Sequence, residues 1–350
     1  MTVLDGNGQI FPAAIGIAET ESTLTWAWFL GLVRAAFRVG DGEGIVALSD
    51  REKGIETSLA DVLPLAAHGF CVYHISKNVA KRYKVDLEGL LWKAAKAATE
   101  DAFNSTIAEI KAVHLEAGEY IDAIDEKKWA RSSFPVRRFG HVTSNIAESM
   151  NSWLDEARHM DPVRMFAFYI RRLNVLFEQR RLMYASLRDD ALPPDVAETL
   201  DKSIKDGRKL RVITHNATTF EVQRLNDKVF PRRVNLEAPS CTCGFFEEHG
   251  IPCRHICAAA ILVRTHPKTL VVPARLLPEL RAVYACAITP VDGNLLHNDG
   301  TQPPAEKKQR GRPRTKCIPS CLEKKPKRTV TCSKCGGRGH IAKTCNAHSN

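Results

Sequence analysis

The sequence has no unbroken apolar run of about 20 residues, the length a membrane-spanning helix needs, so it predicts no membrane partner. Met1-Thr2-Val3-Leu4-Asp5 has neither the basic start nor the apolar core of a secretory signal. Together these absences predict a reducing compartment, in which the eleven cysteines are metal ligands or core residues rather than disulfides. Long internal repeats are missing too. Acidic residues are scarce in one stretch only. Residues 302–350 hold thirteen Lys or Arg against Glu306 and Glu323, a net +11, whereas the other 301 residues carry 37 basic and 38 acidic groups. A near-neutral body with a basic tail predicts an interaction arm, and polyphosphate is its natural partner. A solubilising tail has the same composition.

The body, within a chain that is 44% hydrophobic and 26% charged, reads as globular. Residues 9–18 follow the Asp5-Gly6-Asn7-Gly8 turn and predict a buried strand. Trp26, Phe29, Leu30, Leu32, Val33 and Phe37 recur at helical spacing over 22–38. Gly44 to Asp50 is a second short apolar run, followed by a helix from near Arg51 through Ile55 and Leu59. This alternation of strand and helix predicts an α/β core. From about 75 to 130 the pattern is helical, with Leu87, Leu90, Leu91, Ala94, Ala98, Phe103 and Ile107, and no strand is expected there.

After an irregular stretch from Arg137 to Thr143, Ile146, Met150, Trp153 and Leu154 share one helical face. Asp161-Pro162 then caps a long helix that is expected to carry Arg171, Arg172, Arg180 and Arg181 on its wet side. Between 210 and 236, alternation at Phe220, Val222, Val234 and Leu236 predicts short strands. Residues 287–331, rich in Pro, Gly and charge, predict a disordered linker.

Most cysteines fall into two groups. Cys241-Thr-Cys243, nine residues and Cys253-Arg-His255 make a closed set of four soft ligands, which suits a structural zinc with no open position for water. Strands precede the first pair and an apolar helix follows the second, with Cys257 on the buried face of that helix. The second group is Cys332, Cys335, His340 and Cys345, wrapped around Gly336, Gly337 and Gly339. A module so short has no core, so metal binding must supply its folding free energy. It reads as a zinc knuckle, a module that usually grips single-stranded nucleic acid and sometimes a protein.

Between the two groups, Arg310-Gly311-Arg312-Pro313-Arg314 is similar to an AT-hook, which lays arginines into the narrow minor groove of A·T-rich DNA. An ordinary basic linker has the same residues. Lys324 to Arg328 has the composition of a nuclear localisation signal. Cys317 and Cys321 lack two further ligands and are not read as a site.

Four further segments resemble one family when taken in order: Trp26-x-Trp28-Phe29-Leu30, Ser49-Asp50-Arg51-x-Lys53-Gly54, Cys71-x2-His74 and Asn145-Ile146-Ala147-Glu148-Ser149-x-Asn151. They resemble the Mutator-like (MULE, MuDR-type) transposases, in which a SWIM zinc finger follows the catalytic core and a CCHC knuckle often ends the chain. The resemblance implies an RNase H-like α/β core, incomplete at its N-terminus, with a helical insertion. Core segments at 1–75 and 141–206 then flank an insertion at 76–140. A small zinc-stabilised α+β SWIM module at 207–270 follows, then the basic linker at 287–331 with its AT-hook-like segment and the knuckle at 332–345.

The resemblance also implies an Asp-Asp-Glu triad holding two divalent ions, Mg²⁺ or Mn²⁺, for in-line displacement at phosphorus. Asp50 matches its second aspartate and Glu148 its glutamate, while Cys71 and His74 match a motif near the core. Taken alone, Asp50 is also a first-turn acid beside a Ser49–Glu52 capping box, Glu148 a solvated helix residue, and Cys71 and His74 core residues. The family's first strand and first aspartate have no counterpart here, since Asp5 sits in a turn and Asp41 in a polar loop. The expectation is therefore a nuclear, transposase-derived protein with two structural zinc ions that binds DNA, self-associates, and does not itself cut and join strands. A domesticated DNA-binding regulator and a SWIM-centred protein scaffold are the alternatives.

Overall fold

The structure is a computed structural model that describes residues 1–51, 53–143, 153–224, 231–289 and 332. The chain divides into two units, Met1–Pro304 and Ala305–Asn350.

The first unit opens with a small antiparallel pair, β1 (Thr2–Leu4) and β2 (Ile10–Pro12), joined by the turn that Asp5 organises. The strand expected over 9–18 is thus only three residues long. Helix α1 (Thr23–Phe37) starts where expected because Ser22 and Thr25 form a reciprocal capping box, which satisfies two N–H groups that a helix start leaves unpaired. Strand β3 (Val46–Ser49) leads into α2 (Lys53–Val62), and Leu30, Leu59 and Leu63 lock α1 against α2.

A further strand, β4 (Ala67–Phe70), pairs in parallel with β3 in the register Val46↔Ala67 to Ser49↔Phe70. It was not foreseen, since Ala-His-Gly-Phe has neither alternation nor β-branched residues. Helix α3 (Val72–Tyr83) follows. Helices α4 (Glu88–Ala95), α5 (Glu100–Val113) and α6 (Leu115–Asp122) build the largest core around Leu91, Ile110, Ile121 and Trp129. Val72, Ile75 and Val79 of α3 belong to the same core, so β4 and α3 are continuous in packing with the helical segment.

Helix α7 (Pro162–Ala185) has Pro162 in its first turn and Asp161 as N-cap, the Asp161 carboxylate accepting from the Arg164 N–H at 3.0 Å. Its arginines correct one expectation. Arg180 does not face solvent: its side chain is only 11% exposed, and its guanidinium donates to Tyr284 Oη at 2.8 Å and to the Ile10 carbonyl at 2.7 Å. Arg172 lies over the rings of Trp153 and Phe168, while Arg171 and Arg181 do face solvent.

Helix α8 (Pro194–Gly207) leads into the antiparallel sheet β5 (Leu210–Thr214), β6 (Thr219–Arg224), β7 (Arg232–Asn235) and β8 (Ser240–Cys241). Phe220, Val222 and Val234 point inward as their alternation predicts. Helices α9 (Phe245–His249), α10 (Arg254–Leu262) and α11 (Leu277–Ala285) complete the described fold. No helix among the described residues is long and apolar enough to cross a membrane.

Candidate zinc centre and strand-end site

Cys241 ends the short strand β8, and Cys243 lies in the turn that follows. Gly244 there takes φ 70°, a left-handed conformation that costs glycine little, and starts α9. Gly250 (φ 69°) ends the same helix, and an added Cβ at Gly250 would collide with the Val272 side chain. The chain thereby reverses within a few residues and delivers Cys253 as N-cap of α10, with His255 in its first turn.

The ligand atoms of Cys241, Cys243, Cys253 and His255 all lie within 4.8 Å of one another. His255 presents Nδ1 to the sulfurs, 3.6 Å from Cys241 Sγ and 3.8 Å from Cys253 Sγ. Zn–S and Zn–N bonds of ordinary length at a tetrahedral angle place such atoms about 3.6 Å apart. The geometry therefore fits zinc, and so does the soft, closed donor set.

Several groups orient these ligands. Glu247 accepts from the Cys241 N–H at 2.6 Å and fixes the first loop. The Cys253 sulfur accepts from the Ile256 N–H at 3.5 Å, which fixes its position at the N-terminal end of α10. Arg131, from the segment after α6, donates to the Cys243 carbonyl at 3.4 Å, and Arg137 donates to the Glu247 carbonyl at 2.7 Å.

The thiols are crowded enough to determine one another's charge. Hydrogen bonding with Cys241 and then Cys253 holds the Cys243 thiol far below its ordinary pKa, and hydrogen bonding with Cys241 and then Cys243 pushes Cys253 far above it. Burying several thiolates together is unfavourable without a cation, and a divalent ion supplies the compensation they require. Cys257, the neighbour read from sequence as a core residue, is fully buried beside Val196, Leu200 and Val271.

Three other candidates, Asp50, Cys71 and His74, lie near the ends of the parallel pair. Asp50 is exposed immediately after β3. Beside it, the Cys71 N–H donates to the Ser49 carbonyl at 2.8 Å, which brings Cys71, the fully buried N-cap of α3, to the adjacent strand end. His74 is half-buried one turn into α3. The Val72 N–H donates to the Val142 carbonyl at 3.0 Å, so the residues around Val142 lie beside these strand ends. Carboxyl ends of parallel strands are where α/β folds collect ligands. Arg51 is tied to the helical segment, donating to Tyr120 Oη at 2.9 Å.

Two other acids are committed elsewhere. The Asp5 side chain is fully buried and accepts from four donors, Tyr284 Oη at 2.8 Å, Tyr184 Oη at 3.2 Å and the N–H groups of Gln9 at 2.8 Å and Asn7 at 3.0 Å. Asp41 pairs with Arg34 at 2.6 Å. Among the described residues, the Cys/His cluster is the one group of three or more side chains arranged to share an ion. Glu148, Cys335, His340, Cys345 and the Arg310, Gly311, Arg312, Pro313, Arg314 segment lie outside the described residues, and of the knuckle ligands Cys332 alone is described. What sequence reasoning missed is the support: Glu247, Arg131 and Arg137 carry no motif, and only their positions in space mark them.

Fold and site together define a protein that joins an α/β domain to a zinc finger. Residues 1–78 match the model of the MULE transposase domain, and residues 220–263 match that of the SWIM zinc finger. The chain thus combines the two domains of a MULE-type transposase with SWIM finger. Asp50, Cys71 and His74 fall inside the first match, and all four zinc ligands fall inside the second. No curated protein and no solved structure matches the chain.

Proposed function

We propose that this is a MULE-transposase-derived protein that binds two structural zinc ions and nucleic acid, acts in the nucleus, and does not itself catalyse strand cleavage and transfer. The observation that carries this reading is the four-ligand Cys/His centre on a chain whose first 78 residues match the transposase domain. The basic excess of residues 302–350 surrounds the second ligand set, Cys332, Cys335, His340 and Cys345, and includes the Arg310–Arg314 segment. Lys and Arg at this density displace counterions from a phosphate backbone, so the tail supplies a salt-dependent share of the affinity.

Asp50 and Glu148 are the carboxylates that the resemblance assigns to a two-metal site. A triad needs a third, which neither the buried Asp5 nor the paired Asp41 offers. Asp50 is exposed at the end of β3, and that position supports reading it as one of the two carboxylates.

The test is DNA binding by the zinc-loaded chain and by a form lacking residues 302–350, on A·T-rich duplex and on single strands over a range of salt. The tail deletion is expected to weaken binding and flatten its salt dependence. Unchanged affinity and salt slope would support a SWIM-centred scaffold instead. The same polypeptide, supplied with Mg²⁺ or Mn²⁺, is expected not to nick terminal-repeat DNA. Nicking that Asp50→Ala abolishes would refute the proposed inactivity.

A further inference from the structure

Helix α1 is apolar all round. Arg34 is the one charged residue among its fifteen; Leu30 and Val33 are its buried residues, and Leu30 packs against Leu59 and Leu63. The opposite side carries Leu24, Trp28 and Leu32 at 82%, 51% and 54% exposure. Ala35 is exposed beside them, and a Cβ on Gly31 would meet nothing within 4 Å. At 100° per residue, positions 24, 28, 31, 32 and 35 share one stripe, about 16 Å long. Helices with this composition are ordinarily covered on both sides, and single scattered apolar residues would need no such explanation.

The stripe is complementary to itself. When two copies lie antiparallel about a twofold axis between positions 29 and 30, residue i of one copy faces residue 59 − i of the other. Trp28 then faces Gly31, Leu24 faces Ala35, and Leu32 faces Ala27, so each large side chain meets a small one. Just beyond the helix, Glu21 faces Arg38. Both are exposed, and among the described residues neither belongs to an ion pair. Small residues opposite large ones let the helix axes approach to the 8–10 Å of ordinary packing.

We propose that the Leu24–Trp28–Gly31–Leu32–Ala35 face of α1 is a homodimer interface, a second copy of this chain packing antiparallel across it with Trp28 seated over the partner copy's Gly31. This inference is independent of nucleic-acid binding, since it uses no residue assigned to zinc, phosphate or the strand-end site.

The test is the solution mass of the zinc-loaded full chain by light scattering and sedimentation, at concentrations from below micromolar to tens of micromolar. A species of twice the 38.9 kDa chain mass is expected. Gly31→Leu is the informative variant, because the side chain enters open space within its own subunit and improves helix propensity, yet fills the seat of Trp28. It is expected to weaken dimerisation at least tenfold with circular dichroism and zinc content unchanged. Glu21→Arg is expected to weaken it less, and Glu21→Arg combined with Arg38→Glu to restore it. A monomer at every concentration overturns the proposal, as does a dimer that Gly31→Leu leaves intact or a charge exchange that fails to rescue. A monomer that floats with lipid vesicles also overturns it, in favour of a membrane surface.

Discussion

Tyr284 donates a 2.8 Å hydrogen bond to the carboxylate of Asp5, a residue 279 positions earlier in the chain. Around this contact Tyr184 donates to the same oxygen, Arg180 donates to Tyr284 Oη and lies 4.0 Å from the carboxylate, and Arg275 donates to the Gly6 carbonyl at 3.0 Å. Burial first, and then Asp5, pushes both phenols above their ordinary range, so they remain donors at any physiological pH. The network joins the N-terminal turn to α7 and α11. A buried acid inside a segment matched to a transposase domain invites a catalytic reading. This one has no free oxygen to offer a metal.

Asp5→Ala is expected to cost about 3–5 kcal/mol, because it leaves Arg180 and two tyrosine hydroxyls buried without their acceptor. Tyr284→Phe should cost about 1–2 kcal/mol and Tyr184→Phe, with its longer bond, about 1 kcal/mol or less. Urea unfolding of the three variants measures this order. Equal effects of the two tyrosine variants, or a neutral Asp5→Ala, would contradict the assigned network.

At the SWIM centre, removing the ion should unfold more than a loop. Cys241 and Cys253 sit in the same core as Phe220, Val222, Val234 and Phe246, and the cluster cannot hold three uncompensated thiolates. Chelation of the full chain is therefore expected to remove the protection of β6–β8 amides from hydrogen exchange, while amides of α4–α6 keep theirs. Cys253→Ala should reproduce the pattern without chelator and lower the metal content by one equivalent. Full protection of β6–β8 in the metal-free chain would show that the apolar core alone holds the finger.

The turn at Gly250 is a test of backbone geometry separate from ligand chemistry. Its φ of 69° and the nearby Val272 methyl group both oppose any side chain. Gly250→Ala is expected to cost about 1–3 kcal/mol, and to weaken zinc affinity because the turn sets Cys253 against Cys241. Competition with a chromophoric chelator reads the affinity. An unaltered affinity would mean that the ligands find each other without the turn.

How much of this was legible beforehand depended on the range of the interaction. The Ser22 start of α1 and the Asp161-Pro162 start of α7 are local chemistry, as is the delivery of Cys253 and His255 by one helix turn, and each could be read from a few neighbouring residues. Strand β4 could not be read, because its four residues are a strand only through their parallel pairing with β3. Arg180 was misplaced because helical periodicity gives a residue's angle around its own axis and says nothing of what another element packs there. Asp5 reads from the sequence as a turn residue, but its four donors come from three elements, and no local pattern announces them.

His68 gives the fold a predictable acid sensitivity. Its Nε2 lies 2.8 Å from Ser49 Oγ, which itself donates to the Asp50 carbonyl at 2.6 Å, so the imidazole is held as a neutral donor. Burial, and then the Lys128 ammonium, lower its pKa to about 4, against a smaller opposing effect of Glu56. The unfolded chain, with an ordinary histidine, takes up a proton near pH 6.5 that the folded chain refuses until about 4. Stability from this group is therefore complete above about pH 6.5 and is lost as pH falls toward 4, by roughly 1–2 kcal/mol once its residual solvent contact is allowed for. His68→Gln keeps a donor for Ser49 and removes the titration. The difference in unfolding free energy between parent and His68→Gln, measured at about pH 7 and about pH 5, should shrink or reverse on acidification. Comparing the two proteins cancels the acid sensitivity of the zinc thiolates, which both share. A difference constant with pH would show that His68 is protonated as readily in the folded chain as in the unfolded one.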